Sequence, residues 1–230
     1  MIFAAMAQGW PAAGQRAVGG FIVQDGAGGG SRVSAALPGD GPRDMDAAEA
    51  AMRAMGQVPL FLVRDAALDE ALAARGYAVA DASVILTAPV ARMAEGGVKP
   101  VTAFTLWPPL AIQRDIWAAG GIGPGRLAVM DRAPVPKCAL LGRITDRAAG
   151  AGFVAVTGGV GFVHALFVLP EFRGLGLARQ MMRRAAIWAG AQGATQVALA
   201  VTRANAPALA LYSGMGMVEA GAYHYRRAPA

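Results

Sequence analysis

Two rhythms of apolar and polar positions run through the chain. A period near 3.6 marks MDAAEAAMRAMG (45–56), LDEALAARGY (68–77), LAIQRDIWAAGG (110–121) and APALALYSG (206–214) as helices, several of them closed by glycine. Short apolar runs bounded by Gly, Pro or charged residues predict strands at VPLFLVR (58–64), AVADASVILTA (78–88), CALLGRIT (138–145), GFVAVTGG (152–159), GFVHALFVL (161–169), QVALAV (196–201) and VEAGAYHYR (218–226). GFIVQDGAGGGSRVSAAL (20–37) reads as a hairpin turning on its glycines. A further helix follows Gly176, with Leu177, Met181, Ala185 and Trp188 on one face and Arg179, Arg183 and Arg184 off it. Helices and strands therefore mix in one α/β or α+β sheet.

The longest uncharged run, Ala148 to Pro170, has the length of a membrane span, but glycines, Thr157 and His164 interrupt it, so two strands and a turn are expected. MIFAAMAQGWPAAGQ has no basic leader and only a short apolar stretch, so no signal peptide is expected. One cysteine, Cys138, fits a reducing cytoplasm and the role of a small core residue. With 55% hydrophobic and 16% charged residues the chain is globular. Its net charge of +6 is spread along the whole length without aromatic interleaving, so neither nucleic acid nor membrane is expected as a partner; the charge leans toward small anionic ligands.

One segment concentrates that preference. In LFVLPEFRGLGLARQMMRRA (166–185) a strand ends, an arginine and two glycines follow, and a helix begins. A helix start leaves about four backbone N–H groups unpaired at a partly positive end. Gly174 and Gly176 remove the Cβ atoms that would hold a bulky anion off, and Arg173 adds charge, so a phosphate or pyrophosphate is implied. The dinucleotide fingerprint fails, since Arg179 stands at its third glycine, and the triphosphate loop lacks its Gly-Lys-Ser/Thr ending. No metal is expected at the site.

RGLGLA (173–178) resembles the R/QxxGxG/A signature of the GNAT superfamily of acyl-CoA-dependent N-acyltransferases, with Arg173, Gly176 and Ala178 at the defined positions. NAPALALYSGMGM (205–217) resembles that superfamily's NxxAxxLYxxxGF motif through Asn205, Ala208, Leu211, Tyr212 and Gly216, with Met217 in place of Phe. The resemblance covers roughly residues 102–230. It implies a central mixed, mostly antiparallel sheet flanked by helices, and a transfer of an acetyl group from acetyl-CoA to a primary amine by direct attack in a ternary complex. The alternative is a catalytically inactive module that binds acyl-CoA.

Carried onto this sequence, the resemblance places the pantetheine arm along Leu166, Phe167 and Val168, and the pyrophosphate on Arg173, Gly174, Leu175, Gly176, Leu177, Ala178 and Arg179. Tyr212 becomes the proton donor to the leaving thiolate, and its phenol, with an ordinary pKa of about 10, is suited to that. Asn205 is read both as a helix cap and as a cofactor contact. His164 is read either as a general base, on the strand face of Leu166 and Val168, or as a buried hydrogen-bonded residue. The expected division is 1–92 as a degenerate GNAT-like domain, 93–101 as a linker and 102–230 as the acetyltransferase domain. The first half repeats the order hairpin, helix, strand, helix, strand, but Asp40, Asp44 and Asp46 stand before and at the start of its helix, so no cofactor is expected there. The acceptor amine and the oligomeric state are not fixed by sequence.

Overall fold

The computed structural model describes residues 1–134 and 136–229. In chain order its elements are α1 (Ile2–Gly9), β1 (Gly14–Val18), β2 (Phe21–Asp25), α2 (Ser31–Ser34), β3 (Leu37–Pro38), α3 (Met45–Ala54), β4 (Leu60–Val63), α4 (Ala66–Ala74), β5 (Ala78–Pro89) and α5 (Val90–Ala94). They continue with β6 (Ala103–Leu106), α6 (Ala111–Ala119), α7 (Pro124–Arg132), β7 (Lys137–Ile144), β8 (Arg147–Thr157), β9 (Val160–Val168), α8 (Leu177–Ala191), β10 (Gln196–Thr202), α9 (Ala206–Ser213) and β11 (Val218–Arg227).

Eight strands form one sheet in the order β4-β11-β5-β10-β9-β8-β7-β6, in which β9 and β10 run parallel and the other neighbours antiparallel; β1-β2-β3 form a small second sheet. The sheet takes strands from both sides of 93–101. β5 lies between β10 and β11, while β11 lies between β5 and β4. The stretch 93–101 begins with the end of α5, where Met93 is fully buried, and Lys99 donates its backbone N–H to Gln180 at 2.8 Å.

The core lies on both faces of the sheet. On one, α8 buries Leu177, Met181, Ala185 and Ala189 against the strands, as its apolar stripe requires. A Cβ on Gly142 or Gly150 would come within 2.6 or 2.8 Å of the Met181 sulfur, so bare strand backbone is what lets this helix sit close. On the other face, α1, α6 and α7 cover β8 and β9 around Trp10, Trp117 and Phe153. The Ala148–Pro170 run is indeed two strands and a turn, and no helix among the described residues is long and apolar enough to cross a membrane.

One expectation changes, and two helices are added. The tight hairpin turns at Gly19 and Gly20 between β1 and β2, whereas the glycines at 26–30 lead into the four-residue α2, after which β3 returns antiparallel to β2. The first apolar stretch is a helix, α1. A further helix, α7, opens at Pro124, a favoured residue for a first helical turn.

Candidate active site

The β9–β10 ladder runs from Val160–Gln196 to Val163–Leu199 and then stops. Beyond that point β9 stays with β8, pairing His164 with Phe153 and Val168 with Gly150, while β10 follows β5 through Thr202–Ser83. Two parallel strands thus part and leave a cavity of about 250 Å³ lined by Leu166, Leu199, Val201, Asn205, Ala208 and Tyr212. One-sided strands leave backbone N–H and C=O groups free to pair with an extended ligand, as at any open sheet edge.

The parting is accompanied by a bulge. The β8–β9 register shifts between Ala151 and Phe153, opposite Ala165, whose φ is +50°, a left-handed value that a non-glycine residue adopts at a cost. Trp117, fully buried in α6, donates its indole N–H to the Ala165 carbonyl at 2.9 Å and so anchors the distorted peptide.

The bulge corrects the expected placement of His164. Leu166 and Val168 pack with the α8 layer, whereas His164 stacks on Trp10 (4.9 Å between ring centroids) and Phe162 (4.8 Å) on the α1 side. Strict alternation would have put these side chains on one face; the extra residue of the bulge reverses it. His164 is 3% exposed, and burial, with the nearby Arg32 charge, lowers its pKa well below the ordinary value, so the ring is neutral. An Arg32 guanidinium N–H donates to its Nδ1 at 2.8 Å. A guanidinium only donates, so Nδ1 is the acceptor and Nε2 carries the proton. Neither nitrogen is free to take a proton from an amine, and the second of the two readings, the buried hydrogen-bonded histidine, is the one the geometry fits.

Tyr212 lines the gap at 7% exposure, and desolvation raises its pKa to about 12. Asn205 caps α9, its side-chain oxygen accepting from the Ala208 N–H at 3.2 Å, and lines the same cavity. Phe167 is half-buried on the α6 side, under the Arg173 guanidinium at 5.5 Å.

The cradle is built as its residues require. Gly174 (φ +77°) and Gly176 (φ +80°) are left-handed, and nothing lies within 4 Å of where their Cβ atoms would stand. Gly176 is the N-cap of α8 and offers no side chain to the helix, so the first-turn N–H groups of Leu177, Ala178 and Arg179 face an uncapped end. Leu175 is exposed and Leu177 buried. Arg173 donates to the Val168 carbonyl at 3.1 Å and Arg179 to the Gly214 carbonyl at 3.2 Å, so both cations are parked on carbonyls beside the cradle. The matching helix of the first half, α3, is closed instead: Asp44 accepts from the Ala47 N–H at 3.0 Å, and Asp46 pairs with Arg75 at 2.8 Å.

Sequence reasoning missed Arg32, which reaches His164 and the gap from α2, and Trp10, which stacks on His164 from the end of α1; they are far apart in the chain, and no local spacing announces them. Cys138 is buried and its thiol pKa is pushed up by desolvation, as befits a core residue. Among the described residues no group of three or more His, Cys, Asp or Glu is placed to hold a metal.

Known proteins match this arrangement. Residues 125–217 fit the sequence model of the Acetyltransferase (GNAT) family. A 94-residue stretch is 31% identical to Uncharacterized N-acetyltransferase YobR of Bacillus subtilis (strain 168), covering 40% of this chain and 38% of that one, so the chain matches well under half the length of this curated relative. In solved structures the whole chain superposes on 95% of a GCN5-related N-acetyltransferase from Kribbella flavida (TM-score 0.76, 17% identity). It also superposes over 91% of its length on 78% of a tandem GNAT protein from the clavulanic acid biosynthesis pathway (TM-score 0.60, 15% identity). Residues 125–217, which hold both sequence motifs and the parting of β9 from β10, thus belong to the Acetyltransferase (GNAT) family, and the chain as a whole has the fold of the GNAT structures on which it superposes.

Proposed function

We propose that the chain transfers an acetyl group from acetyl-CoA to the primary amine of an acceptor, by direct attack, at one site in its C-terminal half. The observation that carries this reading is the continuity of the parted β9 and β10 strands with the uncapped start of α8. A long ligand with an apolar arm and a phosphate end would find free strand backbone first and unpaired helix N–H groups second. Acetyl-CoA, when bound, supplies the thioester whose carbonyl carbon the amine attacks.

The chain's own groups take these parts. Leu166 and Val168 form an apolar wall for the arm, with Phe167 on the opposite strand face. Residues 173–179 take the pyrophosphate, and Arg173 and Arg179 swing from their carbonyls to it. Tyr212, held protonated by a pKa of about 12, gives its proton to the departing sulfur and regains one from the nitrogen, which becomes cationic as the new bond forms. His164, neutral and engaged, takes no proton, and the acceptor arrives with its amine already deprotonated. The first half carries no second cofactor site, because Asp44 fills the place at α3 that stays open at α8.

Calorimetric titration with acetyl-CoA, beside a Gly176→Glu variant of unchanged circular dichroism, tests the reading. The variant puts a side chain at φ +80° and a negative charge among the helix N–H groups, so affinity should fall on the order of 100-fold or more. A folded parent that binds no acetyl-CoA would defeat the reading, as would a variant that binds equally well. Binding with no release of thiol on any amine would leave only the cofactor-binding module.

A further inference from the structure

Behind the parted strands lies a second cavity, of about 320 Å³, closed by Trp10 and Ile122 on its apolar side and by Tyr223 and Tyr225 of β11 on another. It shares Arg32, His164, Ala165 and Thr202 with the gap between β9 and β10, so whatever fills it lies against the end of that gap. Its volume is at the lower end for small-molecule sites.

The charge in this cavity is unbalanced at one end. Arg32 reaches inward from α2, and its Nε is buried without a partner. One guanidinium N–H is spent on His164, and the phenols of Tyr223 and Tyr225 lie against the group. Among the described residues no carboxylate pairs with it within 4 Å, and none pairs with Arg126, which stands at the cavity's rim. A buried cation without a counter-ion is costly unless a ligand completes it. Asp81 also lines the cavity, held at φ +48° where β5 bulges against β11, close enough to Tyr225 to act on its phenol.

Resting on the reading of the gap as the acetyl-CoA channel, we propose that the acceptor is a small molecule carrying a carboxylate beside its amine, an amino acid in chemical class. Arg32, aided by Arg126, takes the carboxylate in a charge-assisted, fork-shaped contact, and the amine lies toward Thr202, which lines both cavities. His164 is a positioning residue: clamped between Trp10 and Phe162, it lends Nδ1 to one Arg32 N–H and leaves the guanidinium's remaining donors for the ligand. The neutral ring is what lets a histidine sit against a cation at 2.8 Å.

Matched acceptors test this directly: leucine against isoamylamine, and phenylalanine against phenethylamine. Each is measured by thiol release from acetyl-CoA and by calorimetric binding to the CoA-loaded and free protein. The amino acids should exceed their decarboxylated partners at least tenfold in kcat/KM or in affinity. Arg32→Gln should abolish that margin through KM, a loss on the order of 10–100-fold for the amino acids. Arg126→Gln, at an exposed position where folding is not at stake, should reduce the same margin by a smaller factor. Carboxylate-selective binding that Arg32→Gln removes, on a protein that fails to bind acetyl-CoA, would sink the acetyltransferase reading and leave the carboxylate site standing. Amines that match or exceed the amino acids would overturn the proposal, and so would absence of binding and turnover for both members of each pair. An equal loss of kcat for both members in Arg32→Gln would overturn it too, because Arg32 would then serve the reacting carbonyl.

Discussion

A histidine that cannot act as a base still has a measurable signature. His164 in the unfolded chain takes a proton near its ordinary pKa of about 6.5, whereas in the fold burial and Arg32 hold it neutral to much lower pH. Below pH 6.5 the unfolded state therefore binds more protons than the native state at this residue. Its contribution to stability is full above pH 6.5 and falls away progressively as the pH drops below it. Denaturant titrations between pH 7 and 5 should show a steeper acid loss for the parent than for His164→Asn, whose side-chain oxygen can still accept from Arg32. Parallel slopes for the two proteins would mean that His164 titrates in the fold as freely as in the unfolded chain. On the same grounds the pH profile of turnover should show no inflection that His164→Asn removes.

At the scale of elements the site depends on a distorted strand. β9 must leave β10 after Val163, yet keep its ladder with β8, and the bulge at Ala165 reconciles the two. The Trp117 indole is the only hydrogen-bond partner, among those with side-chain donors, that the described residues give to the Ala165 carbonyl. Trp117→Phe should keep the ring packing but leave that carbonyl unpaired, costing about 1–3 kcal/mol in urea unfolding. A variant as stable as the parent would show that the bulge holds without its anchor. This element also marks how far sequence could reach. The α8 cradle and the α9 cap are built from contiguous residues, RGLGLA and NAPALALY, so spacing alone exposed them, and most strands announced themselves as apolar runs. The bulge is a tertiary compromise with no local mark in GFVHALFVL, and it turned His164 to the face opposite the one that alternation assigns. Arg32 was invisible for a related reason: it meets His164 across 132 residues of chain, brought there by a four-residue helix whose neighbouring glycines read as a turn.

Across the whole molecule the two halves of the sequence complete each other. Each half runs helix, strand, helix, strand, as α3-β4-α4-β5 and as α8-β10-α9-β11, and the second helix of each is capped alike, by Asp65 on the Leu68 N–H and by Asn205 on the Ala208 N–H. The last strand of each half is inserted between the last two of the other: β5 between β10 and β11, β11 between β4 and β5. The exchange places Val84, Leu86 and Ala88 in the core beneath α8, and it brings Asp81 and Ser83 beside Tyr223 and Tyr225 at the second cavity. Residues 102–230 made alone would leave the facing edges of β10 and β11 unpaired and that part of the core open to water. The fragment should therefore be aggregated or without cooperative unfolding, whereas co-expression with residues 1–95 should restore a one-to-one complex with the parent's thermal transition. A soluble, cooperatively unfolding 102–230 fragment would show that the exchanged strand is dispensable. In the intact chain, joining the halves in one sheet lets a residue from the first half, Arg32, line the gap between strands of the second. On the proposed reading, acceptor recognition at Arg32 and acetyl delivery along the gap can then vary separately without moving the strands between them.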